Sequence, residues 1–236
     1  MTRRGKSPIT IRIRRAIGTN FRMGIFAANW LVERINRDYV REAAALYGRG
    51  RVLDVGCGRQ PYGDYFSNYT GLEFDRARYA EIPADVWGSA LALPFCDASF
   101  ATVFSSQVLE HVPEPWEMVA EMARVLEPGG HLILTAPHIW GLHEVPHDYF
   151  RFTCYGLEHL ARRSGLQPVT VRAMAGYWVT AGVRFCYYLR PFARGPFKPL
   201  VRALSALVQL IAWGLDRLHR VESDTWNYLL VARKPA

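Results

Sequence analysis

The stretch VLDVGCG, residues 52–58, decides the fold of this 236-residue chain. A short apolar run, residues 51–55, leads directly into two glycines, a pattern typical of a buried strand that enters a glycine-rich turn. Glycines at positions 56 and 58 permit a positive φ and let a ligand approach the backbone, which a Cβ atom would obstruct. In a doubly wound sheet, ligands bind at the carboxyl ends of the strands, beside such a turn.

Predicted strands and helices alternate on both sides of this turn. Apolar positions recur at three- and four-residue steps in 25–47, which predicts an amphipathic helix ended by Gly48 and Gly50. Alternation of strands with helices predicts an α/β fold, with a doubly wound, mostly parallel sheet covered on both faces. The other predicted strands are 69–74, 84–87, 100–105, 131–136, 166–174 and 227–233, and the other helices of the core are 114–126 and 153–164.

A carboxylate, Glu73, stands at the end of the second predicted strand. A carboxylate in this place can accept hydrogen bonds from both hydroxyls of a ribose. The turn does not fit the dinucleotide fingerprint GxGxxG, because position 61 is proline. A lone GxG also occurs in simple tight turns, so the order of several motifs must carry the prediction.

Four motifs together resemble the class I S-adenosylmethionine-dependent methyltransferases, of the small-molecule type that includes quinone-biosynthesis enzymes. They are VLDVGCG (52–58), YTGLEFD (69–75), ALPFCDASFATVFSSQVLEHV (92–112) and RVLEPGGHLILTAP (124–137). The resemblance implies a Rossmann-like sheet of seven strands with an antiparallel last strand. In that fold the last two strands normally form a close hairpin, whereas about fifty residues separate them here.

The resemblance also implies S-adenosyl-L-methionine as the cofactor. The glycine turn would line its methionine part, with Asp54 orienting the turn, and Glu73 would bind the ribose. Two departures from the family pattern predict weaker binding: Gln60 replaces a third glycine, and Ser89 replaces the usual acid beside the adenine. The expected cofactor-binding residues are Asp54, Gly56, Cys57, Gly58, Glu73, Phe74 (flanking the adenine), Ser89, Ala90 and Gln107 (near the sulfonium).

A histidine-rich segment, residues 137–151, follows the fifth predicted core strand. Its His143 and His147 are the candidate catalytic residues, as general base or acceptor-pocket wall, because histidine titrates near neutral pH. A structural loop packed on the next helix is an equal alternative. The HExxH sequence does not predict a zinc protease, because Pro146 would break the helix that both ligands need. A non-helical metal site is a minor alternative, so no metal is predicted, and His111 is interpreted as structural.

The sequence after the fourth core strand bears on the acceptor. SSQVL, residues 105–109, replaces the Asn/Asp-Pro-Pro-Tyr/Phe with which nucleic-acid amino methyltransferases hold a flipped base. LHEVPHDYFRFT, residues 142–153, resembles methyltransferases found with bacterial cell-surface polysaccharide and lipid genes. The predicted function is therefore methyl transfer to a small-molecule, lipid-like or glycan acceptor. An RNA methyltransferase and a non-catalytic membrane- or partner-binding module are the alternatives.

The net charge of +8 is concentrated in two segments. Residues 1–22 hold seven cations and no acid, and residues 177–222 hold seven cations and two acids. The partner of these segments is expected to be anionic. An anionic membrane surface fits that expectation, and nucleic acid is not the expected partner.

The predicted domains are a basic N-terminal arm (1–24), a methyltransferase domain (25–176 with 223–236) and a basic, aromatic-rich helical insertion (177–222). The insertion holds a predicted helix, 200–218, whose uninterrupted apolar stretch is shorter than the ~20 residues that span a bilayer. Burial on the core or in a homodimer is the default for such a helix, with a lid or a membrane-interface helix as alternatives. Scattered cysteines and the lack of a secretory signal predict a cytoplasmic protein, peripheral on the membrane if the insertion binds lipid.

Overall fold

Residues 24–74 and 81–236, which this computed structural model describes, build a seven-stranded mixed sheet. The strand order is β3-β2-β1-β4-β5-β7-β6, and β7 runs antiparallel to both of its neighbours. The predicted sheet is therefore confirmed, whereas the predicted basic arm lies outside the described residues except for Gly24. The strands are β1 (Arg51–Val55), β2 (Asn68–Glu73), β3 (Val86–Trp87), β4 (Phe100–Ser106), β5 (Leu126–Pro137), β6 (Gln167–Ala173) and β7 (Asn227–Arg233).

Five α-helices accompany the sheet within the described ranges. The first begins later than predicted, at Trp30, and β5 begins earlier, because Leu126 already pairs with Phe100 of β4. The insertion contains two helices rather than the single predicted one. The helices are α1 (Trp30–Tyr47), α2 (Pro115–Val125), α3 (Cys154–Arg163), α4 (Tyr177–Leu189) and α5 (Lys198–Leu218).

Hydrophobic clusters lie on both faces of the sheet. On one face, Met118 and Met122 of α2 join Leu132 and Leu134 of β5 in a fully buried core. On the other face, α1 packs its apolar side, which includes Val40, against the sheet. Burial of apolar surface on both faces is the main force that holds such a sheet together. Residues at and just after the carboxyl ends of β1, β2 and β4 line cavities that are open to a ligand.

The second helix of the insertion, α5, meets the domain with buried polar side chains. The side chain of Gln209 accepts the N–H of Leu31 and donates to the carbonyl of Ala27, both at 2.9 Å. Asp216 accepts the N–H of Gly176 at 3.1 Å and so satisfies a backbone group at the start of α4. Ser205, Gln209 and Asp216 of α5 are all buried. The polar stripe of α5 therefore faces the domain.

The apolar side of α5 consequently faces outward, so its expected burial on the core of this chain is wrong, whereas burial in a homodimer stays a prediction. Leu207 is 55% exposed and Ile211 is 53% exposed. The reason is physical: the buried polar side chains bind backbone groups of α4 and of the residues around the start of α1. By length and composition alone, one helix of the described residues, Gly195–Leu218, is apolar enough to cross a membrane. The other exposed apolar residues of α5 are Leu200, Leu204, Leu210 and Leu218.

Candidate active site

Two cavities meet at the carboxyl ends of β1 and β4. The larger, about 680 Å³, lies between the glycine turn, the end of β2 and residues 88–91. The smaller, about 450 Å³, lies between the same turn, α1 and α4. Ligands bound in the two cavities would meet where the linings coincide. The shared lining residues are Gly56, Gly58, Gln107 and His143.

All nine residues predicted to bind the cofactor line one or both of these cavities. Glu73, Phe74, Ser89 and Ala90 line only the larger cavity, and Asp54 and Cys57 line only the smaller one; Gly56, Gly58 and Gln107 line both. The structure thus brings together residues that lie far apart in the sequence. The individual contact assigned to each of them stays a prediction.

The two glycines of the turn have different reasons to be glycine. Gly56 adopts a φ of 77°, and a Cβ atom there would lie 2.4 Å from a methyl group of Val108. Gly58 adopts a φ of 49°, but no atom lies within 4 Å of the place where its Cβ would be. Gly56 is therefore required by packing, whereas Gly58 borders open space into which a ligand fits.

Two buried carboxylates flank the turn. Glu73, only 8% exposed, accepts the N–H of Gly58 through one oxygen and the N–H of Phe74 through the other, both at 2.9 Å. Asp54 accepts a hydrogen bond from the hydroxyl of Tyr69, and burial raises the pKa of Asp54 to about 7. The N–H of Gly58 is thus held by Glu73, and the expected role of Asp54 in orienting the turn stays a prediction.

The two departures from the family pattern are both accommodated. Gln60 adopts a φ of 55°, the left-handed conformation that glycine takes most easily, and its side chain donates to the carbonyl of Pro83. Ser89 accepts the N–H of Leu91 at 3.1 Å while lining the larger cavity. The backbone of the turn therefore keeps its shape without the third glycine.

The histidine-rich segment forms neither helix nor strand between residues 138 and 153. The HExxH sequence therefore lies on an irregular loop, which agrees with the exclusion of a zinc protease. His143 lines both cavities and His147 lines the larger one. The ring of His138 packs instead on Tyr228, with 5.4 Å between the ring centroids.

An ion pair between a buried carboxylate and a partly exposed arginine holds this loop in shape. Arg151 donates to both carboxylate oxygens of Asp148, at 2.7 and 2.8 Å, and to the carbonyl of Gly141. Asp148 in turn accepts the N–H of His143 at 2.9 Å. The guanidinium of Arg151 holds the pKa of Asp148 well below its usual range. The pair therefore fixes the backbone that carries His143.

Removal of this pair gives a first prediction. Arg151→Ala is expected to lower the free energy of unfolding by about 1 to 3 kcal/mol at neutral pH, because Asp148 keeps a buried, unpaired charge. The folded-state pKa of Asp148 is depressed, so the pair stabilises above the ordinary aspartate pKa and is lost as the pH falls. Denaturant titration at pH 7 and pH 3 should therefore show a smaller difference at pH 3.

The control for this prediction is Arg162→Ala. Arg162 forms an ion pair with Glu158 on α3, but its side chain is 64% exposed. Its loss should cost at most about 0.5 kcal/mol at either pH. Equal effects of the two substitutions would show that the Asp148–Arg151 pair does not stabilise the loop.

Sequence reasoning missed a cluster beside His143. Glu110 lies in a short 3₁₀ turn, Leu109–His111, just after β4, and is completely buried. One of its oxygens lies 3.7 Å from Nε2 of His111 and 3.8 Å from Nε2 of His143. The carboxylate raises the pKa of His143. His111, interpreted as structural from the sequence, also lines the larger cavity.

Aromatic rings form much of the wall of the smaller cavity. Trp140, Trp226 and Tyr187 line it, and Trp140 contacts the other two rings at centroid distances of 5.7 and 5.2 Å. Tyr187 belongs to α4, so the insertion supplies part of this wall. The opposite side carries polar groups of α1, including Asn36, which donates to the hydroxyl of Tyr62. A ligand here meets both apolar rings and hydrogen-bonding groups.

Comparisons with known sequences agree with this architecture. A family described as a methyltransferase domain matches residues 53–134. An uncharacterized methyltransferase of Mycolicibacterium gilvum is 31% identical over 78% of this chain and 76% of its own length. A 27-O-demethylrifamycin SV methyltransferase of Amycolatopsis mediterranei is 28% identical over 78% of this chain and 77% of its own length. A Mycobacterium marinum methyltransferase, 36% identical, matches 48% of this chain and 51% of itself, so this match spans about half of that relative.

Solved structures share the fold. The Haemonchus contortus phosphoethanolamine N-methyltransferase 2, in complex with S-adenosyl-L-methionine, covers 94% of this chain and 60% of its own, with 17% identity and a TM-score of 0.52. The cyclase SpnF covers 85% of this chain and 80% of its own, with 24% identity and a TM-score of 0.56. At these identities the likeness concerns the fold alone.

Proposed function

This chain belongs to the class I S-adenosylmethionine-dependent methyltransferases. We propose that its larger cavity binds S-adenosyl-L-methionine, whose methionine part reaches the edge of the smaller cavity at Asp54 and Cys57, and that the rest of the smaller cavity binds the acceptor. Two observations support the cofactor's fit. Gly58 borders open space at the turn, and the Glu73 carboxylate stands beside it at the end of β2. When bound, the cofactor supplies a methyl group made electrophilic by a positively charged sulfur.

The residues of the larger cavity then have distinct roles. Glu73 binds the ribose hydroxyls, Phe74 flanks the adenine and Ser89 accepts a hydrogen bond from its amino group. Gln107 stays fixed at the junction of the cavities, because its side-chain N–H groups donate to Thr135 and Asn227, both at 3.0 Å. Such fixed groups align the reacting partners, which is the main source of catalysis in a direct displacement.

We propose a lipid-like or lipid-linked acceptor. The observation that carries this proposal is the orientation of the insertion: α4 lines the smaller cavity, while the apolar side of α5, packed on α4, faces outward. If the apolar side of α5 contacts a membrane, an acceptor with an apolar part would reach the smaller cavity from that membrane. A water-soluble glycan acceptor would not account for the exposed leucines of α5.

The same geometry supports docking on an anionic membrane at its cytoplasmic face. All cationic side chains of the insertion are exposed, and lipid headgroups of opposite charge attract such residues. Aromatic rings interleaved with arginines also suit nucleic acid, but the exposed side of α5 is aliphatic and cannot stack on bases. The exposed cations of the insertion are Arg184, Arg190, Arg194, Lys198, Arg202, Arg217 and Arg220.

An oxygen acceptor must lose a proton, and His147 is the candidate base for an acceptor whose hydroxyl extends through the junction into the larger cavity. Its ring is exposed at the larger cavity, where its one described hydrogen bond joins Nδ1 to the hydroxyl of Tyr149 at 3.1 Å. His143 is more constrained, because Asp148 and Gly141 both bind it. The name of the Amycolatopsis relative, which refers to a methyl group on oxygen, supports this acceptor type.

The test is methyl transfer to fractionated extract. The protein is incubated with S-adenosyl-L-methionine labelled in the methyl group and with separate lipid, water-soluble glycan and RNA fractions. We expect label in the lipid fraction, with more transfer when anionic vesicles are present. Label confined to RNA or to soluble glycan would overturn the acceptor proposal, and absence of cofactor binding would overturn the cofactor assignment.

A further inference from the structure

Three side chains at the edge of the larger cavity bring one carboxylate and two imidazoles together. Ligand atoms of Glu110, His111 and His143 all lie within 4.8 Å of one another. The carboxylate comes from the turn after β4, and His143 comes from the loop after β5. We propose that these three residues bind a divalent transition-metal ion.

The buried carboxylate of Glu110 favours a bound cation. Glu110 is 0% exposed, and neither of its side-chain oxygens forms a hydrogen bond. Its position is fixed, since its backbone carbonyl accepts the N–H groups of Tyr149 and Phe150. A buried carboxylate without hydrogen bonds is unfavourable unless a positive charge lies beside it. A bound cation would supply that charge.

The orientation of the imidazoles of His111 and His143 also favours a bound metal ion. Nδ1 of His111 lies 2.6 Å from the carbonyl oxygen of His147, and Nδ1 of His143 lies 3.2 Å from that of Gly141. A carbonyl only accepts, so each Nδ1 carries a hydrogen, and each ring presents a lone pair at Nε2 once that nitrogen has lost its proton to make room for a metal ion. Both Nε2 atoms approach the Glu110 carboxylate. Metal-ligating histidines are held by the other nitrogen in the same way.

The nearest cation does not replace the metal ion. A guanidinium nitrogen of Arg151 lies 3.4 Å from Nδ1 of His143, on the far side of the ring from Nε2. Its charge is already balanced by Asp148, to which it donates two hydrogen bonds. Glu110 therefore receives no ion pair from an arginine or lysine of the described residues.

The donor set indicates the kind of ion. Two nitrogens and one carboxylate suit Zn²⁺, Mn²⁺ or Fe²⁺, whereas Mg²⁺ and Ca²⁺ prefer oxygen ligands only. In a tetrahedral zinc site, bonds of about 2.0 to 2.2 Å set the ligand atoms roughly 3.3 to 3.6 Å apart. The distances of 3.7 and 3.8 Å from Glu110 to the two histidines need to shorten by a few tenths of an ångström. The separation between the ligand atoms of the two histidines, for which 4.8 Å is the upper bound, must also shorten when the ion binds.

Three protein ligands leave at least one coordination position open. His111 and His143 both line the larger cavity, and His143 also lines the smaller one. An oxygen of the acceptor could occupy that position. This role, unlike metal binding itself, rests on the proposed function.

The test is calorimetric titration of chelator-treated protein with Zn²⁺ and Mn²⁺, with Co²⁺ absorption as a spectroscopic readout. We expect one ion per chain with micromolar or tighter affinity. His143→Ala and Glu110→Gln should each weaken binding at least 10-fold. His159→Ala removes an exposed histidine of α3 and should leave the affinity unchanged. The proposal would be overturned if His143→Ala and Glu110→Gln bound the metal ion with undiminished affinity, or if the natural sequence bound no metal ion.

A stability measurement distinguishes a loss of metal binding from a loss of the fold in these variants. Metal bound to the folded state raises the melting temperature, so chelator should lower the Tm of the natural sequence but not that of Glu110→Gln. Binding of S-adenosylhomocysteine is measured in the same samples. If S-adenosylhomocysteine binds but the metal ion does not, only the metal site is refuted. If the metal ion binds but S-adenosylhomocysteine does not, only the proposed cofactor cavity is refuted.

Discussion

Glu73→Ala is expected to weaken the binding of S-adenosylhomocysteine roughly 100-fold or more. The carboxylate of Glu73 stands at the end of β2, beside the open space at Gly58. Two hydrogen bonds from ribose hydroxyls to a charged acceptor contribute about 1.5 to 3 kcal/mol each, so their loss exceeds a hundredfold in affinity. The substitution also leaves the N–H groups of Gly58 and Phe74 without their acceptor.

Calorimetry measures this effect directly, with Glu81→Ala as the matched control. Glu81 is an exposed carboxylate close to β3 and should not change the affinity. Glu73→Gln keeps an acceptor for the turn amide but removes the charge, so it should bind with intermediate affinity. Full affinity in Glu73→Ala, with an unchanged melting temperature, would rule out the ribose contact.

The double substitution Leu207→Glu/Ile211→Glu is expected to reduce binding to anionic vesicles at least 100-fold. Both side chains are more than half exposed on the outward side of α5. Transfer of one such side chain from water to an apolar environment is worth about 1.5 to 3 kcal/mol, and an added carboxylate is also repelled by the lipid charge. The fold should be unaffected, because neither side chain is part of a buried cluster.

Cosedimentation with vesicles of phosphatidylserine and phosphatidylcholine measures the partition coefficient. The matched control is Leu46→Glu/Val169→Glu, which alters two exposed apolar residues outside the insertion. It should bind like the natural sequence. If instead the natural sequence is a dimer in sedimentation velocity and the α5 variant is a monomer, the apolar side of α5 is covered by a second copy and the membrane proposal is wrong.

Much of the sheet could be predicted because its signals are local. VLDVGCG, residues 52–58, combines a buried strand with a glycine turn, and the structure places β1 and its turn there. The start of β5 could not be predicted in the same way. Residues 126–130 contain Pro-Gly-Gly, which marks a turn in sequence, yet Leu126 is held in the sheet by pairing with β4.

The orientation of α5 was beyond sequence reasoning. An amphipathic pattern shows that a helix has two sides but not which side meets the protein. Gln209 and Asp216 face inward because they bind backbone groups near Leu31 and Gly176, which are distant in sequence. Such distant partners leave no signal in an amphipathic pattern, which by itself predicts that the apolar side is the buried one.

Some residues of the candidate site could be predicted from the sequence and others could not. Gly58, Glu73 and Gln107 could be expected at the ligand end of the sheet, because each directly follows or ends a predicted strand. The cluster of Glu110 with His143 could not, since it joins two loops and depends on which imidazole nitrogen each carbonyl engages. Adjacent glutamate and histidine after a buried strand were the available signal.

The position of β7 has a consequence for how the chain folds. β7 lies between β5 and β6, so β6 joins the sheet only through a strand that follows the whole insertion. Closing a loop over residues 174–226 rather than a short hairpin costs only about 2 kcal/mol of chain entropy, because that cost grows with the logarithm of length. The late pairing should slow folding more than it weakens the native state. The acceptor wall is thus carried by a segment whose length the sheet tolerates at little thermodynamic cost.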